Sequence, residues 1–174
     1  MSTTHVETFT AELDALGVEW SETTPEEVGD VLAAAADPPV VAAPSDHECV
    51  SPETLPIPVE TEPTLETLRD AHTGITDATL GIVPYGSVVL RTDTDDLTEA
   101  ASLFVDHHVV VLAERDLRPD VASALAELGP LLRAEEASAV VATGPSATAD
   151  MGALVQGAHG PEAVHVVLLR EGDG

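Results

Sequence analysis

His108-Val109-Val110-Val111-Leu112 is apolar at nearly every position. A strand with water on one face alternates apolar and polar residues. A run without alternation predicts a strand covered on both faces, the usual setting of a parallel sheet between layers of helix. Working outward, Ser138 to Ala142 and Ala163 to Leu169 read the same way, and Val40-Val41-Ala42 reads as a strand. Between them lie segments of helical period. Val6 to Leu16 places Phe9, Leu13 and Leu16 on one face and ends at Gly17. Leu117 to Leu132 repeats Val121, Leu125, Leu128 and Leu132, with Pro119 near its start. Thr24-Pro25-Glu26-Glu27 has the chemistry of a helix start running to about Ala35, and Thr64 that of a cap for Leu65 to Ala71. Val18-Glu19-Trp20 reads as a short strand. Ala78 to Val83, Pro84-Tyr85-Gly86 and Ser87 to Arg91 read as a hairpin. Strands alternating with helices predict an α/β fold: one domain, a mostly parallel sheet of mixed character, and helices on both faces. Within it, residues 1–43 form a first α/β unit, 44–63 a Pro- and Glu-rich surface connection, and 64–174 the part that carries the motifs.

The chain of 174 residues has 32 acidic side chains against six basic ones, all arginine, for a net charge of -26. Such a charge repels nucleic acid and anionic membrane. Apolar content of 44% argues against disorder, and the acids are spread along the whole sequence. The composition predicts a folded protein with an acidic surface suited to high salt, as in a halophile. Cys49 is the single cysteine, so no intramolecular disulfide and no cysteine-based cluster is expected. Met1 to Thr10 lacks the charge and apolar core of a signal peptide, and no apolar run is long enough to span a bilayer, so a cytoplasmic location is expected.

Chemistry concentrates in Thr143-Gly144-Pro145-Ser146-Ala147-Thr148-Ala149-Asp150, followed by Gly157-Ala158-His159-Gly160-Pro161. If a strand ends in this turn and a helix runs from Thr148 to Leu154, free amides and hydroxyls meet at one point, which suits a phosphate or carboxylate. The same residues serve equally as a plain turn with Ser146 or Thr148 as a cap. The sharper reading gives Thr143, Gly144, Ser146, Thr148 and Gly160 to an anionic ligand. His159 becomes the proton-moving group and Asp150 orients it. A turn at Gly74 to Thr76 and His108 join the same site, at the carboxyl ends of strands, with His72 near it. His107 and His108 point to opposite faces of a strand. His165 reads as packed in a strand, and His5 and His47 as solvated. No metal site is expected.

The Thr143 to Pro161 block is flanked by Gly74-Ile75-Thr76-Asp77-Ala78, Gly86-Ser87-Val88-Val89-Leu90, His108-Val109-Val110-Val111 and His165-Val166. In order and separation these segments resemble the LUD-domain family, in its lactate-utilisation protein C (LutC/YkgG) branch. The resemblance implies a fold like that of the NagB/RpiA/CoA-transferase group. It also implies an accessory place in a three-component system that oxidises L-lactate to pyruvate, where iron–sulfur clusters belong to partner subunits and this chain binds no cofactor of its own. The sequence departs from the family at Pro84 and Tyr85, where an acid and a threonine are usual, at Ala147, where a basic residue is common, and at Gly152, where glutamate is frequent. Enzymatic activity is therefore left open. A free-standing sugar-phosphate or acyl-CoA enzyme and a non-catalytic interaction protein, alone or as a homo-oligomer, stand as alternatives.

Overall fold

The computed structural model describes residues 3–52, 55–92, 97–135, 137–150, 153–156 and 160–170. Five strands form an all-parallel sheet. They are β1 (Glu19–Thr23), β2 (Val40–Ala42), β3 (Thr73–Asp77), β6 (His107–Ala113) and β11 (Ala163–Leu169), in the order β1-β11-β6-β3-β2. The run at His108 is thus the central strand, and Val109 to Leu112 have no exposed surface. Burying each of these side chains stabilises the fold by about 1.5–3 kcal/mol.

A second sheet lies against the first. It contains β4 (Leu80–Ile82), β5 (Ser87–Thr92), β7 (Leu117–Arg118) and β8 (Ser138–Ala142), in the order β7-β4-β5-β8. The β4–β5 hairpin forms as its sequence predicts, with Gly86 left-handed at φ 57° at the end of the turn. It belongs to this second, mixed sheet, however, and not to the parallel one. The alternation of side chains along the strands explains the layering. Val110, Leu112, Val164, Val166 and Leu168 face inward onto Val88 and Leu90, with Phe9 and Leu13 of α1 (Thr3–Leu16) filling the same core. Val109, Val111, Val167 and Leu169 face outward under Val28 and Leu32 of α2 (Val28–Ala35). The outer face of the second sheet, Leu80, Ile82 and Val89, is covered by Ala124 and Leu128 of α5 (Val121–Glu135). The protein is thus a mixed α/β fold, and helices close both outer faces of the paired sheets. At the β2 end, α3 (Leu65–Asp70) and α4 (Leu97–Leu103) pack on Val41 through Leu68 and Ala101.

Several sequence expectations shift. Thr64 does cap α3, accepting from the Thr67 amide at 3.2 Å. The helix expected from Thr24 starts only at Val28, because residues 25–27 form a turn in which the Glu27 amide donates to the Thr24 carbonyl. β8 is an edge strand with Val141 58% exposed, not a buried one. Apolar runs alone do not say which sheet a strand joins. The helix expected over Thr148 to Leu154 does not exist. Ala147–Asp150 and Ala153–Gln156 are instead two antiparallel strands, β9 and β10. Gly74 to Thr76 lie inside β3 and form no turn.

Candidate functional site

Parallel strands all end on one rim, and ligands of open α/β sheets collect outside those carboxyl ends. Here that rim holds a cavity of about 610 Å³. Pro44 and Asp46 reach it just after β2, Asp77 at the last position of β3, and Arg115 and Asp116 just after β6. Arg91 enters from β5, Thr98 from the first turn of α4, and His47 and Glu62 from the long connection. Two of the chain's six cationic side chains therefore line one cleft.

Asp77 is the most constrained of these groups. Its Oδ2 accepts from the Ser45 hydroxyl at 2.6 Å and from the Asp46 amide at 2.9 Å. Its Oδ1 is buried and has no hydrogen-bond partner among the described residues. Burial raises its pKa from the ordinary aspartate value, against the opposing pull of the Ser45 hydrogen bond and of His47. Asp116 is likewise raised by burial, against the pull of Arg115 and Arg118. The cleft therefore sets guanidinium groups beside carboxyls that burial makes harder to ionise. The guanidinium groups can hold an anion, and the carboxyls can hydrogen-bond a hydroxyl next to it. Cys49 is half-buried under the α2-side core, and burial raises its thiol, so it is not poised as a thiolate.

The residues expected to form the site from sequence lie elsewhere. The Thr143 and Gly160 loops do meet, since the Ser146 amide donates to the Pro161 carbonyl at 2.9 Å and Ser146 lies against Gly160. Thr143 shares a hydrogen bond of 2.7 Å with Ser87, and Gly144 takes a left-handed φ of 72° beside Leu16 and Val18. This meeting point is at the amino-terminal rim of the parallel sheet, next to Asp106, whose carbonyl accepts from the Glu162 and Ala163 amides. The seven residues of β6 separate it from the carboxyl rim, about 20 Å at the rise of a strand. No helix follows Ser146, so the helix-end donors expected there are absent.

Gly74, Thr76 and His108 do not join that surface either. All three point inward between the layers. A Cβ on Gly74 would stand 1.8 Å from the Ala101 carbonyl oxygen, so this glycine lets α4 pack on β3. Thr76 Oγ1 lies 2.8 Å from His108 Nε2. His108 is 2% exposed, and its pKa is lowered to about 4, chiefly by burial and then by neighbouring His107. It is a neutral, hydrogen-bonded core imidazole. His165 bonds Ser21 at 2.8 Å, and His72, His107 and His165 share the amino-terminal rim. His159 lies outside the described residues, as do the side chains of Thr148 and Asp150. Among the described residues no group of three or more His, Cys, Asp or Glu side chains is placed to hold a metal, and no helix is long and apolar enough to cross a membrane.

Sequence reasoning missed Asp77, His47, Arg91 and Arg115. One signal was available: Asp77 is a polar residue at the carboxyl end of a buried strand. Reading Gly74 to Thr76 as a turn hid it.

These features define a layered α/β protein with a polar cleft outside the carboxyl ends of its parallel sheet. The sequence matches the LUD domain over residues 3–169, and the chain belongs to that family. At the family level it is a lactate-utilisation-related protein. The fold is similar to the crystal structure of a DUF162-family protein from Deinococcus radiodurans, with a TM-score of 0.75 and 18% sequence identity over 97% of this chain and 99% of that one. No curated protein sequence matches this chain.

Proposed function

We propose that this LUD-domain protein is an accessory component of an L-lactate oxidation system, of the lactate-utilisation protein C branch, and that it binds a small carboxylate in the cleft at the carboxyl rim. The observation that carries the reading is the placement of Arg91 and Arg115 in one cleft of a chain with only six cations. Arg91 and Arg115 share this cleft with Asp46, Glu62, Asp77 and Asp116, so an anion is held there by direct contact with the guanidinium groups and not by a net positive potential. Asp77, whose Oδ1 has no hydrogen-bond partner among the described residues, is placed to hydrogen-bond a hydroxyl beside the carboxylate. Iron–sulfur chemistry belongs to partner subunits in this reading, and the chain contributes ligand binding. The sugar-phosphate or acyl-CoA alternative rested on a phosphate loop at a helix start, and Ser146 leads into a strand.

Equilibrium dialysis of radiolabelled L-lactate in molar KCl tests the binding step. Arg115 is exposed, so Arg115→Ala should leave the fold intact while weakening binding about 10- to 100-fold, the loss of one charge-assisted hydrogen bond of about 1.5–3 kcal/mol. Absence of binding in the parent protein, or equal binding in the variant, would contradict the proposal. Affinity purification from native cells tests the partner step: proteins carrying iron–sulfur clusters should accompany the chain.

A further inference from the structure

A strand at the edge of a sheet offers unpaired backbone groups to any other strand, and stable proteins blunt such edges with charge, brevity or a cover. The two larger sheets have four edges, and three are blunted. β1 carries Glu19 and Glu22. β2 is covered by the long connection: the Ala42 amide donates to the Glu60 carbonyl at 3.0 Å, and the Glu60 amide to the Val40 carbonyl at 2.9 Å. β7 has two residues, and its Arg118 is fixed by two hydrogen bonds to Glu127.

β8 has none of these devices. It is five residues long, Ser138-Ala139-Val140-Val141-Ala142, and pairs with β5 on one side. Among the described residues no backbone hydrogen bond reaches its other side. From Ala137 to Ala149 the chain contains no charged side chain, although 32 acids are spread over the rest. Val141, on the face shared with Ala139 and α5, is 58% exposed. We propose that β8 is the contact surface for a second copy of this chain, whose own β8 adds antiparallel across a two-fold axis and joins two four-stranded sheets into one.

The charge pattern selects this occupant. Two chains of -26 repel wherever acids face each other, and β8 lies within an uncharged run of 13 residues; the run of equal length, Ala78 to Leu90, is largely buried, with only Pro84 and Tyr85 exposed. Antiparallel self-pairing about Val140 sets each Val141 beside the other copy's Ala139. In sequence the acids Glu135 and Glu136 precede β8 while the uncharged Thr143 and Gly144 follow it, so antiparallel pairing sets the acidic flank of one copy toward the uncharged flank of the other, whereas a parallel partner would set acid beside acid. Such a contact is isologous and closes at two copies. A single added strand buries less than the roughly 1,200 Å² of a standard interface, so the dimer should be reversible and should strengthen with salt.

Sedimentation equilibrium in molar KCl, from micromolar to near-millimolar protein, reads the outcome. The expected result is a monomer–dimer equilibrium. Val141→Lys and Val141→Asp should each weaken it at least about tenfold, because either sign of charge then lies beside the apolar Ala139 and diagonally across the axis from its own copy. Circular dichroism should show melting temperatures close to the parent's, since Val141 is largely exposed. A monomer mass at every concentration would overturn the proposal and leave β8 to a strand of a different protein. A dimer unchanged by both variants would overturn it by placing the contact elsewhere.

Discussion

Acid should destabilise this protein through His108 in a way one substitution can isolate. The imidazole is buried, hydrogen-bonded to Thr76 and surrounded by the inner core, and its pKa falls from 6.5 to about 4 on folding. Above the unfolded value both states carry a neutral ring, and the group has no effect on the pH dependence. As pH falls below 6.5 the unfolded chain takes up a proton that the folded chain refuses, and stability drops. The loss runs at about 1.4 kcal/mol per pH unit and ends near the folded pKa, for a total of about 3 kcal/mol. For a chain of this size that corresponds to a fall in melting temperature of about 6–12 °C. Other groups titrate in the same range. Asp77 and Asp116, with raised pKa values, act in the opposite sense, and protonation of surface acids relieves repulsion. The parent is therefore compared with His108→Gln, which retains a hydrogen-bonding side chain and does not titrate. Both proteins are unfolded by urea in molar KCl at a series of pH values from 7 to 4. The difference in unfolding free energy, parent minus variant, should decline steadily across that interval. A difference independent of pH would refute the assignment of His108 as a neutral core histidine.

Two further outcomes follow from packing and charge. Gly74→Ala places a methyl 1.8 Å from the Ala101 carbonyl oxygen, so β3 and α4 must part; the expected cost is about 3 kcal/mol or more, read from the urea midpoint, and an unchanged midpoint would show that the close approach does not exist. Dilution from molar to tenth-molar KCl extends the screening length from about 3 Å to about 10 Å; with a net charge of -26 the melting temperature should fall along that series, and a constant value would remove the high-salt reading of the composition.

The layers of this fold could be read where the side-chain pattern was unambiguous. His108 to Leu112 and Ala163 to Leu169 are apolar on both faces and became adjacent central strands. The hairpin was marked by Pro84-Tyr85-Gly86, and α3 by Thr64. The Thr148 to Leu154 segment misled because alanine, methionine and leucine suit a helix, while Gly152, which falls between β9 and β10 in sequence, is the residue type of a hairpin turn. The partition into two sheets was not legible, since β8 and β5 pair across 46 or more residues and no local propensity records that choice. The cleft was hidden for the same reason. Asp46, Asp77 and Arg115 come from three separated segments that the shared direction of the parallel strands brings to one rim, and Arg91 reaches it from β5 of the second sheet. The loop rich in glycine, serine and threonine suits an anion only where a helix follows it, and at Ser146 and Pro161 it is instead two loops tied by a backbone bond.

The central claim is that an anion binds at the carboxyl rim of the parallel sheet. Titration of the uniformly nitrogen-15-labelled protein with L-lactate in molar KCl, followed by amide chemical shifts, tests it residue by residue. The account expects saturable shifts at Asp46 and His47, at Asp77 to Thr79, at Thr98 and at Arg115 and Asp116, the groups that line the cleft. Shifts confined to Thr143, Gly144, Ser146 and Gly160 at the opposite rim, or no saturable shift anywhere, would contradict it.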